Sequence, residues 1–120
     1  MVRLRLEWSE VFALTASNVT AQAPMSAGVY RLSSQRDDEP VVFYVGQAEN
    51  LYERLRDHVL VEEPNDCIRG NRRDYSCYFR FAIVERQSDR DCAERSLYDH
   101  FQPECNLEIP PGEPCDINFV

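Results

Sequence analysis

Residues 41–58, VVFYVGQAENLYERLRDH, constrain what this chain can fold into more than any other stretch. The five apolar residues 41–45 predict a strand buried on both faces, because a half-buried strand alternates with polar positions. Such a strand is expected at the centre of a sheet. Gly46 then lets the backbone turn without a side chain and leaves room for a close approach. Asn50, followed three residues later by Glu53, has the pattern of a helix N-cap with a reciprocal carboxylate, and Leu51, Leu55 and Val59 recur at helical spacing. Arg54 and His58 lie four apart and share a helix face.

The flanking sequence builds a small domain around this unit. Val2, Leu4 and Leu6 alternate with polar residues and predict a short edge strand or an extended arm. Thr15 or Ser17 caps a short helix that ends before Pro24. Residues 28–32, GVYRL, open a strand, and the polar, turn-rich residues 33–40 join it to the apolar run as a hairpin with a longish loop. Tyr30 and Tyr44 then stand on neighbouring strands. Residues 61–74 contain Pro64, Asn65, Gly70 and many charges, a pattern that predicts a loop or an irregular insertion. Residues 75–84 place Tyr75, Cys77, Phe79, Phe81 and Ile83 on one side of a third strand. Ser88 with Asp91 marks an N-cap for a helix through Phe101, with Ala93 and Leu97 on its stripe and Pro103 as its stop. The proline-rich tail is expected to be extended and to return Ile117 and Phe119 to the core. The class is therefore α+β: a small sandwich with a central three-stranded antiparallel sheet flanked by helices, in one domain of 120 residues.

Charge and cysteine usage narrow the function. A formal net charge of -8 argues against gripping nucleic acid by bulk electrostatics. All 13 basic residues are arginines, many within residues 54–86, and arginine suits forked contacts to phosphate better than lysine does. The five cysteines, Cys67, Cys77, Cys92, Cys105 and Cys115, are odd in number and form no CxxC pair. That pattern argues against a zinc site or a disulfide framework and for reduced thiols in a cytoplasmic protein. None has an activating context, which leaves a thiol enzyme at Cys67 or Cys105 with little support. No apolar run is long enough to span a membrane, and MVRLRLEW lacks the apolar core of a secretory signal.

Taken singly, the polar residues have ordinary readings: strand tyrosines in a core, a solvated Arg and His on a helix, a surface glutamate, a capping asparagine. Their joint order is specific. Gly28-Val29-Tyr30 on one strand, Tyr44-Val45-Gly46 on the next, Arg54 eight residues after that glycine and His58 one turn later resemble the GIY-YIG nuclease family. Glu94 on a later helix and Asn106, twelve residues on in FQPECN, continue the match. The resemblance covers residues 28–106, with residues 1–27 as an N-terminal extension packed on the domain and 107–120 as a C-terminal tail.

The resemblance implies a metal-dependent endonuclease that hydrolyses DNA phosphodiester bonds at a single-metal site. Glu94 would hold one divalent cation, Mg2+ or Mn2+, and a single carboxylate suits a metal that keeps most of its waters. Arg54 would lie against the scissile phosphate. Tyr30 would activate the attacking water. A phenol with a pKa of about 10 is a poor base at neutral pH, so this role needs positive charge from Arg54 or the metal to lower that value. Tyr44 and His58 would orient water, substrate or Arg54, or share the proton traffic. Asn106 would brace the site, and Gly28 and Gly46 would keep the strand ends clear where the substrate backbone passes. DNA is the implied partner, with no membrane. A protein partner would supply substrate specificity, since 120 residues leave no room for the separate DNA-binding module that family members often carry. The alternative is a catalytically weak or inactive module of the same fold that binds nucleic acid or a protein.

Overall fold

The computed structural model describes residues 2–120. Among them, in chain order, are β1 (Arg3–Leu4), β2 (Phe12–Ala13), α1 (Ala16–Gln22), β3 (Gly28–Arg36), β4 (Glu39–Ala48), α2 (Leu51–Val59), α3 (Asp66–Asp74), β5 (Cys77–Ile83), α4 (Gln87–Phe101) and β6 (Asp116–Ile117). The main sheet has the order β2-β5-β3-β4, antiparallel throughout. Its three long strands are the expected ones, and β2 adds a short fourth. The N-terminal arm does form a strand, but β1 pairs in parallel with β6 of the tail rather than with the main sheet.

The period of two along β3 divides the interior into two cores. Tyr30 and Leu32 join Phe43 and Phe79 beneath Val19, Leu51, Leu55 and Ile68 of α1, α2 and α3. Val29 points the other way and packs with Val45 and Ala82 against Ala93 and Leu97 of α4 and Ile117 of the tail. The result is a sheet covered on both faces, with helices on each side.

The expectation that residues 41–45 form the central strand is overturned: β3 and β5 are central, and β4 is at the sheet edge. The run is nevertheless uniformly apolar for two reasons. First, a bulge between Leu32 and Ser33 in the β3 register leaves Phe43 without a partner on β3, so Phe43 and Tyr44 both serve the core beneath α1 to α3. Second, the free edge is covered. Cys105 N donates to Phe43 O at 2.8 Å, and the Asn106 carboxamide accepts from Val45 N at 3.0 Å and donates to Val45 O at 2.9 Å. An edge paired in this way needs no charged or polar guards.

Other boundaries also shift. The longish loop expected at residues 33–40 is mostly strand, since Arg36 pairs with Glu39 and only Asp37 and Asp38 turn, Asp37 with φ 54. Short acidic side chains tolerate that left-handed conformation. Residues 61–74 are not an irregular insertion throughout, because α3 occupies their second half, with the Asn65 side chain accepting from Cys67 N and Ile68 N. In α2 the predicted cap is present: Asn50 Oδ1 accepts from Glu53 N at 3.1 Å. The cap expected at Ser88 is absent. Instead α4 starts two residues earlier, with Arg86 at the cap and no side-chain bond to it, and ends at Gln102 with φ 48, just before Pro103.

The expected reduced thiols are overturned for four of the five cysteines. Cys67 pairs with Cys105 and Cys92 with Cys115, leaving Cys77 free with its thiol pushed up to about 11 by burial. The paired residues are 38 and 23 apart in sequence, so only tertiary packing brings them together. Because disulfides persist chiefly in oxidising surroundings, the cytoplasmic expectation loses its support from the cysteines. No helix among the described residues is long and apolar enough to cross a membrane.

Candidate active site

Tyr30 enters the site from the middle of β3 and is fully buried. Its ring occupies the space that a side chain on the facing strand would fill: a Cβ added at Gly46 would stand 2.6 Å from the Tyr30 hydroxyl. A Cβ at Gly28 would stand 2.2 Å from the carbonyl oxygen of Ala82. Both glycines therefore make room for the protein's own chain.

Helix α2 contributes Arg54 and His58 from one face but at different depths, since Arg54 is exposed and His58 is buried. The Tyr30 hydroxyl lies 2.7 Å from His58 Nε2, and Arg54 Nε donates to the same oxygen over a longer 3.4 Å. Tyr44, from β4, closes an aromatic cluster, its ring centroid 6.2 Å from that of Tyr30 and 5.2 Å from that of His58. On its far side, His58 Nδ1 is 2.8 Å from Glu63 Oε2. Glu63 is itself buried, and its other oxygen accepts from Asn65 N at 3.1 Å. Sequence reasoning missed Glu63, whose only signal was a carboxylate five residues beyond the histidine in a turn ending at Pro64.

Glu94 is half-buried on α4. Gln47 Nε2 donates to Glu94 Oε1 and to Asp91 Oδ1, each at 2.9 Å, while Gln47 Oε1 accepts from Gln87 at 2.8 Å. Gln47, one residue past the second tripeptide, is a further site neighbour the sequence did not single out. Two adjoining cavities share Tyr44, Asn65 and Leu107: one of about 380 Å³ is lined by Arg54, His58 and Glu63, the other, of about 350 Å³, by Glu94 and Asn106. All six residues drawn from the resemblance thus come together, five lining this concave face and Tyr30 lying directly behind it.

The electrostatics follow from burial. The Tyr30 hydroxyl is held well above its ordinary value, first by burial and then by Tyr44, which together outweigh the lowering by Arg54. Arg54 by itself therefore does not bring the phenol down. The Arg54 guanidinium is pushed above its ordinary value, chiefly by the charge Tyr30 carries when ionised. Burial lowers His58 below the ordinary imidazole value against the pull of Glu63. Burial also raises the Glu94 carboxyl, with the Gln47 hydrogen bond opposing it.

Among the described residues no group of three or more His, Cys, Asp and Glu side chains forms a metal cage. The donor set at Glu94 is one carboxylate beside an open cavity, with Asp91 held next to it through Gln47, and its negative charge is disfavoured by burial. That fits a hard cation that keeps its waters, and does not fit zinc or calcium bound by a full set of protein ligands.

No family model matches the chain. UvrABC system protein C of Rickettsia canadensis is 29% identical over 85 residues, and that of Rickettsia felis 31% over 85 residues. Each match covers 71% of this chain but 12% of the relative, so the chain corresponds to a small part of those proteins. Among solved structures, the GIY-YIG N-terminal endonuclease domain of UvrC from Thermotoga maritima, bound to its catalytic magnesium, superposes with a TM-score of 0.58 at 20% identity, covering 76% of this chain and 93% of that domain. A tyrosine-to-phenylalanine variant of the same domain superposes with a TM-score of 0.59 at 19% identity, covering 78% and 96%. The facing tripeptides and these superpositions agree: this chain has the fold of the GIY-YIG endonuclease domain.

Proposed function

We propose that the chain is a metal-dependent endonuclease hydrolysing DNA phosphodiester bonds. The supporting observation is the convergence of Tyr44, Arg54, His58, Glu94 and Asn106 on one concave face, with the Tyr30 hydroxyl bonded to His58 behind it. Arg54, exposed and permanently charged, would neutralise charge developing on the phosphate. In turning toward that phosphate it would uncover the Tyr30 hydroxyl, which would take a proton from the attacking water as its own proton passes to His58 Nε2, so that no free phenolate has to form. Tyr44 would fix the water or the substrate from the cavity wall. Asn106 would hold β4 straight beneath Tyr44 through Val45. Mg2+ or Mn2+ held by Glu94 would supply countercharge to the phosphate oxygens. The Thermotoga maritima domain carries a catalytic magnesium, and its crystallised variants replace tyrosines and an asparagine, residue types that also converge here. DNA is the proposed substrate. A protein partner supplying specificity is consistent with relatives named as the C component of a UvrABC system.

The full burial of Tyr30 and the net charge of -8 favour a second reading, a binding module without activity. Incubation with Mg2+ or Mn2+ and plasmid, branched or single-stranded DNA separates the two. Glu94→Ala and Arg54→Ala should each cut on the order of 10²-fold or more slowly than wild type. Equal rates for all three proteins on every substrate would leave the binding module.

A further inference from the structure

Residues 61–65 between α2 and α3 form a loop that the resemblance gives no task, yet the loop buries a carboxylate against the site. Glu63 has 5% of its surface exposed, a level reached by few acidic side chains, and acids are rarely buried without a specific partner. Its partner is His58. One carboxylate oxygen lies 2.8 Å from His58 Nδ1, and the other accepts from Asn65 N at 3.1 Å, so the carboxylate is held at both ends. Asn65 is anchored in turn: its carboxamide donates to Cys105 O at 2.9 Å and caps α3.

A carboxylate can only accept, so the hydrogen in the His58–Glu63 bond belongs to Nδ1. A neutral imidazole carries one N–H, so Nε2 is left with a lone pair, and the Tyr30 hydroxyl 2.7 Å away must be the donor. The direction of the whole chain, Tyr30 O–H to Nε2 and Nδ1–H to Glu63, follows from the one group that cannot donate. Without Glu63 the ring could carry its hydrogen on Nε2 and donate to the phenol oxygen, which is the wrong arrangement for removing the phenol's proton.

We propose that Glu63 is a positioning residue, fixing the His58 tautomer that accepts the Tyr30 proton; the assignment rests on the nuclease reading above. In the step it serves, the Tyr30 O–H bond breaks, an Nε2–H bond forms, and the imidazolium so created faces the Glu63 carboxylate. The other charged and titratable groups facing the ring are Arg54 and Asp57 from α2, Tyr30 from β3 and Tyr44 from β4. Of these, Arg54 disfavours the imidazolium and Asp57 favours it, and neither is positioned by a hydrogen bond to Nδ1. The arrangement gives the 61–65 loop a use: it carries Glu63 back beneath the helix that presents His58.

The test begins without substrate. The chain has two histidines, and His100 is exposed against Phe119, so the imidazole resonances of ¹⁵N-labelled protein are readily told apart. Long-range ¹H–¹⁵N correlation at neutral pH should show His58 with its hydrogen on Nδ1. Glu63→Ala should lose that pattern, and Glu63→Gln, whose amide oxygen can still accept, should keep it. An Nε2–H pattern in wild type, or an unchanged Nδ1–H pattern in Glu63→Ala, would overturn the assignment. Cleavage of plasmid with Mg2+ adds a second reading. Glu63→Ala should lower kcat about 100-fold with little change in KM. The acid limb of the pH profile should move to lower pH in both variants, since the Glu63 charge favours the imidazolium. If Glu63→Ala does not fold, an unmoved acid limb in Glu63→Gln overturns the proposal. Failure of wild type to cut any DNA defeats the nuclease reading alone, and the tautomer pattern then decides whether Glu63 orients His58.

Discussion

His58 carries a pH dependence that can be measured without substrate. Burial keeps its folded-state value below the ordinary value of about 6.5. Between that lowered value and about 6.5 the unfolded chain binds more protons than the folded one, so stability falls as pH drops through this window and is unaffected by His58 above it. Thermal melts at pH 7 and pH 5.5 should therefore show a smaller acid loss for His58→Gln than for wild type. An equal or larger loss in the variant would contradict a lowered value for the buried imidazole. Tyr30→Phe keeps the ring but leaves Nε2 of a buried imidazole without its partner, which costs about 1–3 kcal/mol. It should lower the melting temperature and abolish cleavage together, whereas Tyr44→Phe, at a residue only partly buried, should affect cleavage more than stability. At this scale Tyr30, Tyr44, Arg54, His58, Glu94 and Asn106 were legible because their order along the chain is itself a signature. Gln47 and Glu63 were not. Gln47 gains its meaning from carboxylates on α4 some forty residues away, and Glu63 from a backbone turn with no period to reveal it.

The elements divide in the same way between local pattern and tertiary cover. Strands β3 and β5 and helix α2 followed from apolar spacing and a cap. The edge position of β4 did not, because the residues that protect that edge, Cys105 and Asn106, lie about sixty positions away and act through three hydrogen bonds. Helix α3 was hidden because only Ile68 and Asn71 of its nine residues are buried, too few for a readable stripe. Part of what holds α3 in place is the Cys67–Cys105 bond, which closes a loop of 38 residues, while Cys92–Cys115 closes one of 23 and ties α4 to the tail. On loop-entropy grounds each is worth about 3–4 kcal/mol. Melting under strong reductant should lie on the order of 10 °C or more below the oxidised protein. Cys67→Ser should lose a large part of that difference and, because Asn65 is bonded to Cys105 O, should also speed amide exchange in the 61–65 loop. An unchanged melting temperature after complete reduction would remove the disulfides from any account of stability. Asn106→Ala should cost about 1–3 kcal/mol by leaving both polar groups of Val45 unpaired, with faster exchange at the Val45 amide as its local sign.

For the whole molecule, the α+β class and the sandwich were legible from the alternation of strands and helices, while the β1–β6 ladder was not, since two residues at each end of the chain carry too little pattern to pair by eye. The same overall view sets how the domain can meet DNA. With a formal net charge of -8 the protein as a whole is repelled by a polyanion, and most of its arginines already hold carboxylates or backbone carbonyls. Arg54 is the guanidinium on the concave face. Binding to duplex DNA should therefore release few counterions. With about one to three phosphate contacts, the plot of log affinity against log salt should have a slope between about -1 and -3. Affinity should fall sharply on removal of divalent cation, because Glu94 then adds a bare negative charge to the cleft. Fluorescence anisotropy of a labelled duplex in Ca2+, over a series of NaCl concentrations, measures both. A slope steeper than about -5 would mean that a basic surface elsewhere on the molecule binds the backbone. Tight binding that survives EDTA and Glu94→Ala would mean that the concave face is not where DNA is held. The combination expected from the charge distribution is weak, cation-dependent and shallow in salt, so that an isolated domain would depend on a second protein to bring it to its substrate.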